Sequence, residues 1–301
     1  MKILITGANG AIGSDLVRLL SKKNKIFAFY RTPNIISSNL KNKNIKWIKQ
    51  DLKKKIIYNI KPQVIIHGVV AHPFSKKNTY QDYLQSNITS LQNVIEFAKK
   101  KKIKKFIYLS SFKIYGDIQS DIIKDCNVFT NPSMLGATKV LAEKMLEIQK
   151  FAYLNIRLPG VISYYINDYR RPWLNNIIYK LKKNQPIKIY NAQKVFNNVI
   201  DTIEIYKFIN HIIKKKNMIS GSFNLSAKKP IKIKNMIYYI KNKISSKSKI
   251  SFVKKKSNHF IISSNKAFND YGFNIASTTE IVNRYVKNYA SFSLIDNCGK
   301  Y

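Results

Sequence analysis

The sequence predicts an α/β chain, a doubly wound parallel sheet with a smaller mixed α/β lobe on its C-terminal side, and three observations predict it. Short apolar runs recur through the first half with helix-spaced segments between them, the pattern of βαβ units whose sheet is covered on both faces. Three of the ten glycines stand in G-x-x-G-x-x-G spacing directly after the first apolar run. From about residue 160 the alternation loosens into helical segments and isolated short strands, as in an appended lobe.

Lys2–Thr6 (KILIT) reads as a short buried strand, and Leu16, Leu19 and Leu20 follow at the spacing of one helix face. Between them lies Thr6-Gly7-Ala8-Asn9-Gly10-Ala11-Ile12-Gly13. A strand, a glycine turn and a helix start together place free backbone N–H groups where a phosphate binds. Gly7 permits the tight turn, Gly10 a close approach of backbone to a pyrophosphate, and Gly13 close packing of helix on strand. Asn9, Ala11 and Ile12 complete the predicted cradle, and the architecture is Rossmann-type.

Further strands are expected at Lys25–Tyr30, Ile45–Lys49, Val64–His67, Lys105–Ser110 and Leu154–Leu158, with helices over Tyr80–Lys101 and Ser133–Phe151. The run Lys99–Lys102 suits the negative end of a helix dipole. In the second half, Pro172–Lys183, Thr202–Lys214 and Lys234–Ile244 read as helices, and Ile187–Tyr190 and Ser222–Leu225 as short strands. Residues 1–160 are therefore expected to form the dinucleotide-binding domain. Residues 161–301 form the substrate lobe, with about 195–215 crossing back to the sheet.

The formal charge is +39, and only six of the 54 basic residues are arginines (18, 31, 157, 170, 171 and 284). The lysines are scattered among Ile and Asn along the whole chain, without a basic helix, zinc finger or stacking motif. That distribution argues against a nucleic-acid partner, although the field still attracts anions such as nucleotide phosphates. Cys126 and Cys298 fit no metal-ligand spacing and read as free thiols, so no metal is expected. No apolar run reaches the roughly 18 residues of a membrane helix, and the N-terminus reads straight into a strand. The expectation is a cytoplasmic protein.

At the end of the second predicted strand, an acid usually holds the adenosine ribose. Here no Asp or Glu occurs between Asp15 and Asp51, and Tyr30, Arg31 and Thr32 stand in its place. An arginine there stacks on adenine and pairs with a 2′-phosphate, so NADP(H) is favoured, NAD(H) remaining open. Asp51-Leu52 after the third strand is placed to meet the adenine amino group.

The chain resembles the extended short-chain dehydrogenases/reductases, the NAD(P)-dependent epimerase/dehydratase family, over nearly its whole length. The resemblance rests on residues 6–13, Asp51-Leu52, VIIHGVVA (64–71), Asn87, FIYLSSFKIYGD (106–117), NPSMLGATKVLAE (131–143) and IRLPGVI (156–162). FNNVIDTIEIYKFI (196–209) and GSFNLS (221–226) echo later family segments. It implies cofactor contacts also at Val69, Val70, Lys139 and Pro159, a nucleotide-activated sugar as substrate, and a homodimer formed through the two long helices. It also implies work in surface polysaccharide or lipopolysaccharide synthesis.

In that family a Tyr-x-x-x-Lys pair on one helix moves the proton, the lysine lowering the phenol's pKa, and a serine on the preceding strand bonds the same oxygen. Ser111 and Lys139 match the serine and the lysine, but the tyrosine position is Leu135. Three explanations stand open. Lys113 stands where inverting 4,6-dehydratases of the family carry a lysine and supplies the missing group, although Phe112 replaces their neighbouring Asp. Alternatively, the chain is a catalytically inactive dinucleotide-binding regulator or assembly subunit. Or it runs an altered reaction in which water or substrate supplies the proton. Tyr115 and His67 read as structural, and Asp201 as the family's structural aspartate. His72, in the loop after the fourth strand, and Arg170 and Arg171, just past the sheet, are the candidates for substrate contact.

Overall fold

The computed structural model describes residues 1–71, 78–164, 172–254 and 259–291. Seven strands form one sheet: β1 (Lys2–Thr6), β2 (Lys25–Tyr30), β3 (Ile45–Lys49), β4 (Val64–His67), β5 (Lys105–Ser111), β6 (Ala152–Leu158) and β7 (Gly221–Asn224). Their spatial order is β7-β6-β5-β4-β1-β2-β3 and every neighbouring pair is parallel. The order reverses between β1 and β4, and in open α/β sheets the crevice at such a switch point is where ligands bind. β4 and β5 are buried along nearly their whole length (VIIH and KFIYLSS), as strands covered on both faces must be.

The helix Ala11–Leu20 buries Leu16, Val17 and Leu20 on one side of the sheet, together with the helix Thr202–Lys214, which contributes Ile205, Phe208, Ile209 and Ile212. On the other face Leu91, Val94, Ile95 and Ala98 of the helix Ser90–Lys100 pack beside Ala142 and Leu146 of the helix Met134–Glu147. The run before Ser90 is helical from Tyr80, with a π-helical segment at Leu84–Thr89. The strands and helices read from sequence fall within a few residues of those observed. The helix expected over Ser133–Phe151 stops at Glu147, with Ser133 as N-cap accepting from the Gly136 N–H.

The return from the lobe runs further than the expected 195–215. Val199–Asp201 pairs with Gly160–Ile162, the helix Thr202–Lys214 packs on the sheet, and Gly221–Asn224, read from sequence as a lobe strand, joins the sheet beside β6. A four-residue strand carries no periodicity that tells its sheet, so only tertiary pairing decides where it goes. The lobe consists mainly of the helices Pro172–Lys182, Ile233–Lys243 and Thr278–Ser291 and the parallel pair Ile187–Tyr190 with Ile250–Val253.

Candidate active site

A cleft of about 1010 Å³ opens at the C-terminal ends of the strands, between sheet and lobe. Its first part is the glycine turn. Gly7 has φ +66°, and a Cβ there would lie 3.1 Å from the Gly68 carbonyl oxygen. At Gly13 a Cβ would stand 2.1 Å from the Gly7 carbonyl oxygen, so only glycine lets this helix approach the turn. Gly10 is the N-cap of the helix Ala11–Leu20 and offers no side-chain acceptor. The first amides are therefore left for a ligand, at the positive end of the helix dipole. These features fit the diphosphate of a dinucleotide.

Asn9 Nδ2 donates to the Thr32 carbonyl at 2.7 Å and Asn34 Nδ2 to the Asn9 carbonyl at 2.9 Å, tying the turn to the loop after β2. Arg31 borders the cleft there with an exposed side chain. Asp51, Leu52, Val69, Val70 and Pro159 border it too, as do Ala11 and Ile12. Asn87, in the π-helical segment, accepts from the Ala71 N–H at 2.9 Å and donates to Thr138 Oγ1 at 2.8 Å. It thereby fixes the strand-end loop after β4 to the helix that carries Lys139.

At the far end, Ser111, Lys113, Leu135 and Lys139 border the same cleft. Ser111 Oγ accepts from the Lys113 N–H at 3.2 Å and so caps the short 3-10 helix Phe112–Tyr115. Lys113 has an exposed side chain, its Nζ 5.2 Å from the centre of the Phe112 ring. Its carbonyl packs against Gly136, where a Cβ would come within 2.3 Å. The backbone of Lys113 therefore lies against the helix start beside Leu135. Lys139 is buried, donates to the Leu109 carbonyl at 2.8 Å and sits 4.4 Å over the Tyr108 ring. Burial pulls its pKa down to about 7, against the raising effect of Glu143.

The other titratable groups at this end are structural. His67 is fully buried, 2.8 Å from Thr6 Oγ1 through Nδ1 and stacked 5.8 Å from Tyr108. Burial first, then the Lys139 charge, lower its pKa to about 3, so it is neutral. Tyr115 donates to Asn224 Oδ1 at 2.8 Å and accepts from Arg157 at 3.0 Å, with burial raising its pKa to about 12. Asp201 accepts from Tyr164 Oη and Arg284 Nε, both at 2.8 Å, and from the Glu204 N–H, capping the helix Thr202–Lys214.

Sequence reasoning missed several participants. Glu143, one turn past Lys139, accepts both Nε and Nη2 of Arg157 and the hydroxyls of Ser110 and Ser222. It binds β5, β6 and β7 to the lysine-bearing helix. Trp173, Phe196, Asn198 and Tyr285 form the lobe wall of the cleft. No periodicity marks them, since they come from separate elements. His72, Arg170 and Arg171 lie outside the described residues. Among the described residues no group of His, Cys, Asp and Glu could hold a metal ion, and no helix is long and apolar enough to cross a membrane.

Sheet order, glycine turn and strand-end cleft define a dinucleotide-binding α/β protein. The chain belongs to the NAD dependent epimerase/dehydratase family, whose pattern matches residues 3–224. It is 25% identical over 273 residues to the Bacillus subtilis uncharacterized UDP-glucose epimerase YtcB, covering 84% of this chain and 85% of that one. It is 24% identical over 292 residues to Staphylococcus aureus protein CapI, covering 84% and 86%. Among solved structures, the Bordetella bronchiseptica enzyme WbmG, in complex with NAD and UDP, superposes with a TM-score of 0.81 at 16% identity, over 97% of this chain and 96% of that one. A UDP-N-acetylglucosamine 4-epimerase from Methanobrevibacter ruminantium gives 0.80 at 21% identity, over 96% and 98%.

Proposed function

We propose that this protein is an NADP(H)-dependent enzyme that acts on a nucleotide-activated sugar, by epimerisation, dehydration or reduction, in surface polysaccharide or lipopolysaccharide synthesis. The observation that carries the reading is one cleft joining the glycine turn to Ser111, Lys113 and Lys139. The substrate class is supported by relatives named as sugar-nucleotide epimerases. In this reading the amides of Ala11, Ile12 and Gly13 hold the diphosphate, Asp51 and Leu52 meet adenine, and Val69, Val70 and Pro159 wall the nicotinamide end. The bound dinucleotide supplies the acceptor or donor of a hydride. Arg31, at the end of β2 where the sequence has no Asp or Glu between Asp15 and Asp51, takes the 2′-phosphate, which is why NADP(H) is preferred to NAD(H).

Lys139 orients the nicotinamide ribose and adds a buried charge that favours anionic oxygen nearby. Ser111 polarises the reacting oxygen. Lys113 takes the place of the absent phenol as proton carrier, because its backbone is seated on Gly136 next to Leu135. His72, Arg170 and Arg171 are the remaining candidates for substrate contact. Met134, Leu141 and Ile148 are 43%, 47% and 81% exposed and repeat every seven residues, beside exposed Tyr80 and Leu84 of the neighbouring helix. That apolar stripe supports a homodimer through these helices; the cytoplasm is the compartment proposed for it.

Leu135 also favours a second reading, a non-catalytic dinucleotide-binding regulator. Incubation of the protein with NADP⁺ or NAD⁺ and a panel of nucleotide sugars, followed by absorbance and product mass, separates the two. Turnover that Lys113→Met abolishes, with cofactor binding intact, is the expected result. Tight cofactor binding with no turnover of any sugar nucleotide establishes the regulator.

A further inference from the structure

The strands of the parallel sheet all begin along one edge, at the opposite end from the cleft. The turns that enter them, residues 21–25, 40–44, 61–63, 99–104, 148–151 and 214–220, contain fifteen lysines and no Asp, Glu or Arg. Scattered in the sequence, these lysines are gathered by the sheet. The N–H of Lys25 donates to the Met1 carbonyl at 2.9 Å, that of Ile26 to Asn44 at 2.7 Å, that of Gln63 to Lys2 at 2.8 Å and that of Lys104 to Gln63 at 3.2 Å. Lys105 Nζ donates to the Ile213 carbonyl at 3.0 Å and the Tyr153 N–H to Ser220 Oγ at 3.1 Å, which draws in the last two turns. All fifteen but Lys101 are exposed. Among the described residues, only Lys99 of the fifteen has a carboxylate partner, Glu96 at 3.1 Å. The cleft edge differs, with Asp51, Asp82, Asp117 and Asp121 interspersed among its cations. The basic edge also holds apolar surface. Lys99, Lys102 and Lys150 stand around a recess of about 560 Å³ with Ala98, Ile103 and Phe151 in its lining, and Ile219 is 51% exposed.

We propose that this edge is a docking face for an anionic lipid bilayer, on which the protein rests with its cleft turned to solvent. A bilayer with acidic headgroups presents a broad, diffuse negative charge, and each lysine held within a Debye length of it adds attraction. Lysine is a compact, hydrated point charge suited to such a surface. Recognition of discrete phosphates or base edges favours the planar fork of arginine, which all six turns lack. The recess and Ile219 supply the apolar component, which meets the boundary between headgroups and acyl chains. Among the described residues no helix could span a membrane, so the attachment is peripheral and governed by charge.

Co-sedimentation with vesicles of phosphatidylcholine, alone or mixed equally with phosphatidylglycerol, tests the face. The protein is expected to bind the mixed vesicles and not the neutral ones. Raising the ionic strength from about 0.1 M to about 1 M, which shortens the Debye length from about 10 Å to about 3 Å, should release it. Lys23→Gln, Lys61→Gln, Lys104→Gln and Lys215→Gln together remove one exposed lysine from each of four turns and should weaken binding at least about tenfold. The same charge taken from the lobe by Lys183→Gln, Lys188→Gln, Lys243→Gln and Lys249→Gln should change it by less than about threefold. All eight side chains are exposed, and circular dichroism melts check that both variants keep the wild-type fold. Equal losses in the two variants overturn the inference, because net charge alone would then drive binding. So does equal binding to neutral vesicles. Tighter binding of a short DNA duplex at equal phosphate concentration assigns the face to nucleic acid and overturns it too.

Discussion

Replacing Gly13 by alanine tests the glycine turn where its geometry is least forgiving. The added Cβ would stand 2.1 Å from the Gly7 carbonyl oxygen, 2.9 Å from its carbon and 3.0 Å from the Ala8 Cα. All three neighbours are backbone, so no side chain can swing aside. The helix Ala11–Leu20 must retreat by about 0.9 Å to reach even a 3.0 Å contact. Overpacking of this kind costs about 1–3 kcal/mol, and a backbone obstacle puts it at the upper end. Alanine returns up to about 1 kcal/mol of helix propensity, leaving a net loss of roughly 2 kcal/mol. At ~2–4 °C per kcal/mol the melting temperature should fall by about 4–8 °C. The retreat also carries the helix amides away from the diphosphate. Loss of one charge-assisted hydrogen bond, ~1.5–3 kcal/mol, weakens cofactor binding by about 10- to 100-fold. Gly10→Ala is the control. It has φ −80° and its Cβ would meet only the Gly7 carbonyl oxygen, at 3.3 Å, so stability should hardly change while the methyl obstructs the approaching phosphate. Circular dichroism melts and NADP⁺ calorimetry on both variants read the outcome. A Gly13→Ala protein that melts and binds cofactor as the wild type does would refute the account of the turn.

Four further outcomes are expected. Glu143→Ala strips the buried Arg157 guanidinium of its carboxylate and should cost about 3–5 kcal/mol in urea unfolding, whereas the double substitution Glu143→Leu/Arg157→Met should recover much of that loss; a single variant with wild-type stability would contradict the network. Lys139 has a native pKa near 7 against 10.5 unfolded. The unfolded chain therefore holds more protons above pH 7, and stability relative to Lys139→Met should rise between pH 7 and 9 by up to about 2.7 kcal/mol; a flat difference would place the ammonium in water. Leu135→Tyr should change the product or lower the rate if Lys113 carries the proton, and an unaltered product at an unaltered rate would argue that residue 135 does not face the substrate. Arg31→Ala should weaken NADP⁺ at least tenfold and NAD⁺ little, and equal losses would assign Arg31 to the adenine instead of the 2′-phosphate.

Much of this protein was legible locally. The strands Lys25–Tyr30, Ile45–Lys49 and Val64–His67 announce themselves as short apolar runs, and the glycine spacing states where backbone must come close or turn left-handed. Leu135 is visible as a departure because the spacing of Ser111 and Lys139 around it is otherwise kept. These signals survive in sequence because they arise from requirements within a few residues: a repeat of two or 3.6, a missing Cβ, a cap.

What tertiary structure alone decided involves residues far apart in the chain. Gly221–Asn224 becomes the seventh strand only because β6 offers it an edge, with Ser222 reaching Glu143. Glu143 and Arg157 are unremarkable as letters, yet close a buried network with Tyr115, Asn224 and Asp125. Asp15 reads as a polar residue on an amphipathic helix but is fully buried, accepting from Ser163, the Tyr164 N–H and Thr202. Trp173, Phe196 and Tyr285 share one wall of the cleft although three separate elements carry them. Local backbone preference can be read along a chain. The partners of a buried polar group or an aromatic face are chosen by the packing of whole elements, and no short window of sequence contains that choice.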